Sequence, residues 1–491
     1  MRAVITRMTV LAAVLLLGAA SLDAATASFT ALYSFSSSGD NPVTGQPTNH
    51  DGFTPEANLL LASNMLYGTM FNGGTNGYGT VFKVGTNGTG FTVLHTFSAP
   101  PDTVTNIDGI NPQSSLVLST NTLYGTTSGG GTNGVGTVFK VNTDGTGFTN
   151  IYTFGGVSTD GNSPVAGLTL SGRTLYGTSS SGSLNGNGTV FKINTDGTAF
   201  TNIYTFSAGN TNSYSITTNS DGSQPAGVLV LSGNVLYGTA QLGGVSGAGT
   251  VFRINTDGTS FTNLHSFNAV VTSTLQRITN SDGANPAAGL MLSGNTLYGT
   301  TYDGGTNATG TAFKLNTDGT GFTNLCNFNS VGIASSRNNG GINPSSSLVL
   351  SGNTLFGTAY QGGGAGGGTV FIVNTNGTGF TNLYSFGGAA SQTNGSAPIA
   401  GLVLSGNIMY GTTTVGGSGT NGTLFALTLP GPIPLNIQRT SGKTVLSWTN
   451  SAFSLQVSPT VSGTFTNVPG AVSPYTNTIP GPQQFFRLQS N

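Results

Sequence analysis

LYGTTSGGGTNGVGTVFKVNTDGTGFTNIYTF, residues Leu123 to Phe154, is the stretch from which the fold can be read. It recurs with small edits along most of the chain. LYGT or a close variant ends at Thr69, Thr126, Thr178, Thr239, Thr300, Thr358 and Thr412, giving seven copies at intervals of 57, 52, 61, 61, 58 and 54 residues. A period of that length denotes a propeller or an array of stacked units.

Each copy divides into four short strands, a to d. In the fifth copy, Leu290-Met291-Leu292 is strand a, and Ser293-Gly294-Asn295 turns the chain into strand b, Thr296 to Thr300. A glycine-rich loop, Tyr302 to Thr309, leads to strand c, Gly310 to Leu315. The turn Asn316-Thr317-Asp318-Gly319, whose Asp-Gly pair tolerates positive φ, leads to strand d, Phe322 to Phe328. Strand a is apolar at successive residues, as in Leu59-Leu60-Leu61 and Leu402-Val403-Leu404, which predicts cover on both faces. The glycine inside LYGT predicts a place where another backbone approaches closely, as around a narrow axis.

The ends of the repeat region are offset by one strand. A lone d-type strand, Phe29 to Phe35, precedes the first copy. The seventh copy has strands a (Leu402–Leu404), b (Met409–Thr412) and c (Gly422–Leu427), then breaks into Leu429-Pro430-Gly431-Pro432 with no d. Donating the N-terminal strand to the last copy completes a blade and closes a ring. An open solenoid has no use for that offset and needs polar caps instead.

Gly-Gly pairs after strand b, at Gly73-Gly74, Gly243-Gly244, Gly304-Gly305 and Gly416-Gly417, resemble kelch repeats. The whole LYGT…GG…GTVFKV-NTDGTGFTNLYSF unit is similar to the GloVer tandem repeat of secreted bacterial proteins, over roughly residues 29–427. That resemblance implies an extracellular repeat protein and no established activity, so it transfers no catalytic residue. The expected architecture is all-β: a seven-bladed kelch-like β-propeller closed by its N-terminal strand, followed by a small C-terminal β-sandwich. The expected boundaries are a signal peptide at residues 1–27, the propeller at 28–429 and the C-terminal domain at 430–491.

The termini support this division. Arg2 and Arg7 precede an apolar run, Met8 to Ala20, and Ala25-Thr26-Ala27 offers a small-x-small cleavage site, so secretion with Ser28 first is expected. Removing the leader leaves no apolar stretch that predicts a membrane span. At the other end Pro430, Pro432 and Pro434 form a stiff linker. Strand-like runs follow at Lys443–Thr449, Phe453–Val457, Tyr475–Ile479 and Gln484–Gln489, with Trp448 as core anchor. Charged residues are only 5% of the chain against roughly 25% in an average soluble protein, and the net charge is −1. Nothing there points to nucleic acid or an anionic membrane as partner. Cys326 is the only cysteine, so stability comes from packing and not from an internal disulfide.

Signs of catalysis are few. Strand c carries Lys140, Lys192, Arg253 or Lys314, each followed four residues later by Asp144, Asp196, Asp257 or Asp318, which predicts a scaffold contact at the c–d turn. Asp51, Asp108, Asp160, Asp221 and Asp282 precede strand a, each followed by Gly and then Pro. They read either as turns fixing the loop or as an acidic ring at the channel mouth suited to Ca²⁺; no other cofactor is expected. His95 and His265 occupy the d-strand slot of Tyr152, Tyr204 and Tyr384 and read as aromatic substitutes, and Cys326 in that slot reads as core. Glu56 is the only glutamate, which removes a glutamate acid/base pair.

A binding argument remains. In an antiparallel blade the b–c and d–a loops share one face, and these are the loops that vary between copies. Their non-repeated residues include Phe71, Asp102, Arg277 and Arg337. The ligand-binding candidates are Tyr78, Gln241, Tyr302, Asp303, Tyr360 and Gln361, a set of rings, amides and a carboxylate that suits neutral glycans. The expected function is a non-enzymatic extracellular binding or adhesion module with a glycan or a surface protein as partner. The rivals are a purely structural surface repeat and a glycan-active lyase or hydrolase.

Overall fold

The computed structural model describes residues 27–41, 45–101, 105–157, 159–211, 217–272, 278–328, 340–388, 393–429, 436–440, 443–447, 453–458, 464–477 and 485–490. Within them every regular element is a strand. The leader-like stretch, the Pro430–Pro434 linker and Trp448 lie outside these residues, as do Asp102, Arg277 and Arg337. One compact unit spans Ala27–Thr428, and a second includes Leu429–Asn491.

The first unit is a seven-bladed β-propeller of antiparallel blades, each built on strands a to d in order. Blade two, for example, runs Val117–Ser119, Thr122–Thr127, Thr137–Asn142 and Thr149–Thr153. The seam lies where the strand offset predicts it. Ser28–Ser34 pairs antiparallel with Thr423–Thr428, with Phe29 opposite Leu427 and Tyr33 opposite Leu424. The Phe35 N–H extends this ladder to Gly422 O at 3.1 Å. The two ends of this unit thus share one blade, and strand c of blade seven has no open edge.

Two expectations about the blade interior need correction. Strand a is covered only at its start: Leu116 is 5% exposed, whereas Val117 and Leu118 stay half-exposed. It is a three-residue edge strand, and the enclosed strands are b and c. The LYGT glycine, for its part, does not meet another backbone. Gly125 stands opposite Phe139 in the ladder. A Cβ there would lie 2.6 Å from Phe139 Cζ and 2.8 Å from Leu116 Cδ2. Gly68, Gly177, Gly238, Gly299, Gly357 and Gly411 sit under the equivalent phenylalanine in the other six blades. The glycine exists to admit a fully buried ring from its own sheet.

Three contacts recur at the junctions between blades. The first is a stacked ring pair: Tyr152 of blade two lies on Phe200 of blade three, with centroids 3.7 Å apart and planes at 7°. His95 on Phe148 (3.5 Å) and His265 on Phe322 (3.8 Å) show that both histidines fill the tyrosine slot. At the seam Phe29 stacks on Tyr384 at 4.5 Å. The exception is the junction of blades five and six, where Cys326 fills the slot. There Phe380 stands edge-on to Phe371 at 6.1 Å, where the equivalent rings of other blades stack, and burial pushes the Cys326 thiol up to about 12.

The second contact is made by the threonine of LYGT. Thr126 Oγ1 donates to Ala166 O of the next blade at 3.1 Å, and Thr412 Oγ1 makes the equivalent bond to Pro55 O at 3.5 Å, whereas Thr178 Oγ1 of blade three is buried without a partner. The third corrects the expected charge pair. Lys83 Nζ reaches Thr143 O at 2.9 Å, and Lys314 Nζ reaches Thr375 O at 3.3 Å. The lysine of one copy therefore caps the c–d turn of the next copy and not its own.

In the second unit, Asn436–Thr440, Lys443–Ser447 and Tyr475–Asn477 form one three-stranded sheet, and Thr466–Asn467, Phe453–Ser458 and Phe485–Ser490 form another. Leu446 of the first and Leu455 of the second are buried in one cluster.

Candidate functional site

The d–a loops are tied to the b–c loops of the same blade before any side chain is left for a ligand. Asn106 Oδ1 accepts from the Gly109 and Gly131 N–H groups, both at 2.9 Å, while its Nδ2 donates to Ser98 O and Gly109 O at 2.8 and 2.7 Å. Asn49, Asn219 and Asn280 repeat this bond set. The turn-fixing role thus belongs to the asparagine two residues before four of the five aspartates, Asp160 being the exception with Ser158 at that place. Its signal in the sequence is the recurrence of N-x-D-G at 49–52, 106–109, 219–222 and 280–283.

The aspartates turn toward the preceding d strand. Asp51, Asp108, Asp160, Asp221 and Asp282 are between 2% and 8% exposed. Tyr33, Tyr152 and Tyr204 donate their hydroxyls to Asp51, Asp160 and Asp221 at 3.1, 2.9 and 2.7 Å. His95 Nε2 and His265 Nε2 stand 3.1 and 2.9 Å from Asp108 and Asp282. A backbone N–H just past the strand, such as Ser36 or Ser207, donates as well. The five carboxylates therefore face five separate d strands and form no ring around the channel mouth. Donor hydrogens point at oxygens that Ca²⁺ would need as ligands. Among the described residues no three His, Cys, Asp or Glu gather as a metal group. Where Asp is missing, the contact to the d strand changes. Gly340 accompanies Cys326, which needs no acceptor, and Asn394 Nδ2 donates to the Tyr384 hydroxyl at 2.6 Å.

This latch carries a pH signature. Burial alone would raise the Asp108 carboxyl, but hydrogen bonds from His95 and Ser98 outweigh it and hold the group below its ordinary 3.8. A depressed carboxyl stabilises the fold above the unfolded-state value, and that contribution disappears as pH falls through the folded value. Ser98→Ala is therefore expected to cost about 1.5 kcal/mol at pH 7, with the gap to the parent closing as the medium is acidified below the ordinary carboxyl value of 3.8 and through the lower folded one. Thermal melts across pH check this, and a gap independent of pH would exclude the carboxylate as its source.

Beyond the latches, strand b of each blade runs on into two loop-face residues. They are Phe71-Asn72, Ser128-Gly129, Ser180-Ser181, Gln241-Leu242, Tyr302-Asp303, Tyr360-Gln361 and Thr414-Val415 in blades one to seven. Five of the six predicted binding residues fall at these positions on three consecutive blades: Gln241 on four, Tyr302 and Asp303 on five, Tyr360 and Gln361 on six. In blades four and six, strand b lengthens to Val235–Leu242 and Thr354–Gln361, because Ser223–Pro225 and Ile342–Pro344 pair with it. Tyr302 and Tyr360 are half-exposed and Gln361 is exposed. Tyr78 is not brought into this group, since it packs against the core cluster between blades one and two.

Asp303 is the charged centre of the arc. It accepts from Asn285 Nδ2 at 2.8 Å and from Asn343 Nδ2 at 3.2 Å. Both asparagines hold left-handed backbone, with φ of 58° and 57°, immediately before a proline. The equivalent residue is left-handed in all seven blades, from Thr54 to Ala397. Such strain in non-glycine residues persists only where the surroundings enforce it. Burial raises the Asp303 carboxyl above its ordinary value, and the two amides act against that rise. Burial also raises the Tyr302 hydroxyl, and the neighbouring Asp303 and Tyr360 add to it. Two half-exposed rings and a partly desolvated carboxylate thus share one electrostatic neighbourhood. They can stack against an apolar ligand face and accept hydrogen bonds from its hydroxyls.

The sequence profile of the Gloeobacter/Verrucomicrobia repeat matches residues 19–215 and 268–444. No curated protein matches the chain by sequence. Among solved structures, a GH74 enzyme of Niastella koreensis is similar at 15% identity and a TM-score of 0.49, over 81% of this chain and 58% of that one. An oligogalacturonate lyase of Vibrio parahaemolyticus is similar at 9% identity and a TM-score of 0.44, over 83% of this chain and 98% of that one. A chain of a nidogen/laminin complex is similar at 14% identity and a TM-score of 0.34, over 55% of this chain and 79% of that one. Likeness at this level bears on neither ligand nor chemistry.

Proposed function

This chain belongs to the Gloeobacter/Verrucomicrobia repeat family, and from that premise we propose that it is an exported, non-enzymatic module that binds an extracellular glycan. In this reading the propeller is kelch-like, residues 430–491 form a small β-sandwich, and the loop face of blades four to six holds the ligand. The observation that carries the reading is the meeting of Tyr302, Asp303 and Tyr360. Tyrosine rings offer an apolar surface to the C–H face of a sugar. The Asp303 carboxylate accepts from sugar hydroxyls, and the Gln241 and Gln361 amides both donate and accept. A hydrolase needs two carboxyl groups about 5–10 Å apart, and Asp303 is the single acidic residue at these loop-face positions.

A glycan-array screen of residues 28–491 tests the proposal. Binding is expected, with Tyr302→Ala lowering affinity at least about tenfold, or 1.4 kcal/mol, and Asp303→Ala lowering it comparably. Binding that survives both substitutions would move the site elsewhere. No binding, together with no turnover of polysaccharides, would favour a purely structural surface repeat, and turnover would favour the lyase or hydrolase. Export is checked on the native protein by mass spectrometry, which should find an N-terminus near Ser28.

A further inference from the structure

Ring closure brings a third aromatic into line with Tyr302 and Tyr360. Phe71 is the first of the two loop-face residues in blade one, as Tyr302 is in blade five. The two are 231 positions apart in the chain. In the ring, however, blade one follows blade seven, because Ser28–Ser34 completes blade seven and Thr412 bonds to Pro55 across the seam. The order along the arc is therefore Tyr302, Tyr360, Thr414, Phe71. Ser128 and Ser180 hold the same position on blades two and three.

Phe71 is held as Tyr302 is held. The Tyr302 N–H donates to Asn285 O at 3.1 Å, and its carbonyl accepts from Asn343 Nδ2 at 2.9 Å. The Phe71 N–H donates to Thr54 O at 3.1 Å, and its carbonyl accepts from Asn111 Nδ2 at 3.0 Å. The same amides reach the next residue, Asp303 in one case (3.2 Å) and Asn72 in the other (3.4 Å). Phe71 is half-exposed, like both tyrosines, and stands outside the inter-blade core clusters and stacked pairs described above.

We propose that Tyr302, Tyr360 and Phe71 form one platform for a linear, neutral oligosaccharide lying along the arc from blade five to blade one. The proposal rests on the glycan-binding reading and adds the length of the ligand and a further binding residue. Sheets packed face to face stand about 10 Å apart, a step comparable to a disaccharide. Rings one blade apart can therefore stack on alternate sugars of one chain, and Thr414 leaves a gap that only a longer chain bridges. Phe71 has no hydroxyl and contributes stacking alone. No Lys or Arg occupies any of these strand-b loop-face positions.

Isothermal titration of the mature chain with linear neutral gluco-, manno-, xylo- and galacto-oligosaccharides, from disaccharide to hexasaccharide, tests this. Affinity is expected to rise with chain length in the series that binds. Phe71→Ala should weaken the hexasaccharide about tenfold and leave the disaccharide unchanged, Phe71→Tyr should restore the hexasaccharide, and Tyr302→Ala should weaken both. A hexasaccharide bound no more tightly than a disaccharide, or indifferent to Phe71→Ala, overturns the platform and leaves the glycan site on blades five and six intact. No binding anywhere in the four series removes the platform and the glycan reading together.

Discussion

Deletion of residues 28–35 is expected to abolish the folded monomer. The segment supplies all of strand d in blade seven, and it bridges both neighbouring blades. Phe35 is fully buried and meets Phe82 edge-on at 6.1 Å. Tyr33 stacks on Phe91 at 4.4 Å and donates to Asp51, while Phe29 stacks on Tyr384. Burying a large apolar side chain contributes about 1.5–3 kcal/mol. Losing three such rings and the ladder to Thr423–Thr428 approaches the whole stability of a typical domain, about 5–15 kcal/mol. The exposed edge of Thr423–Thr428 then becomes a template for other chains. Size-exclusion chromatography should show oligomers, and an added peptide of residues 28–38 should restore the monomer and a cooperative melt. A monomeric deletion variant melting within a few degrees of the parent would mean that the ring holds without its seam.

Gly177→Ala should be strongly damaging for a single added methyl. Its Cβ would stand 2.5 Å from Phe191 Cζ and 2.8 Å from Leu168 Cδ2, both of them buried side chains without room to withdraw. Overpacking of this kind costs about 1–3 kcal/mol, and the upper end is expected here. The double variant with Phe191→Leu should recover part of the loss, and the double-mutant cycle should give a coupling energy of about 1 kcal/mol or more. Gly172→Ala is the control: it lies in an a–b turn with nothing within 4 Å, so its strain comes only from a φ of +59°. Zero coupling between Gly177 and Phe191 in denaturant unfolding would refute this account of LYGT.

The sequence reveals the ring more readily than its fittings. Blade number and seam follow from counting strands, because a d strand without a, b or c before it has one place to go. Spacing shows where the LYGT glycine is but not what lies over it, so the ring of Phe139 is invisible until the ladder places it opposite Gly125. The latch is legible in principle. The d-strand slot and the pre-strand aspartate change together at Cys326 and Gly340, yet taken one at a time they read as an aromatic substitute and a turn. Lys314 misleads for another reason: a repeat shows which residue types recur but not whether partners lie in the same copy or the next. The candidate binding residues stand out only as departures from the repeat. Which of them meet depends on their offset from LYGT, and that criterion excludes Tyr78 and admits Phe71.

The exceptional junction between blades five and six has a mechanical meaning. Treated as a hoop of seven staves, the ring carries a stacked pair and a donor–acceptor latch at most of its joints. At this joint Cys326 removes the first and Gly340 the second. Load drawn across the hoop parts its least riveted joint first, and that joint lies between the blades that carry Tyr302 and Tyr360. The give in the ring is therefore placed beside the proposed site, while the other joints hold the remaining staves in register.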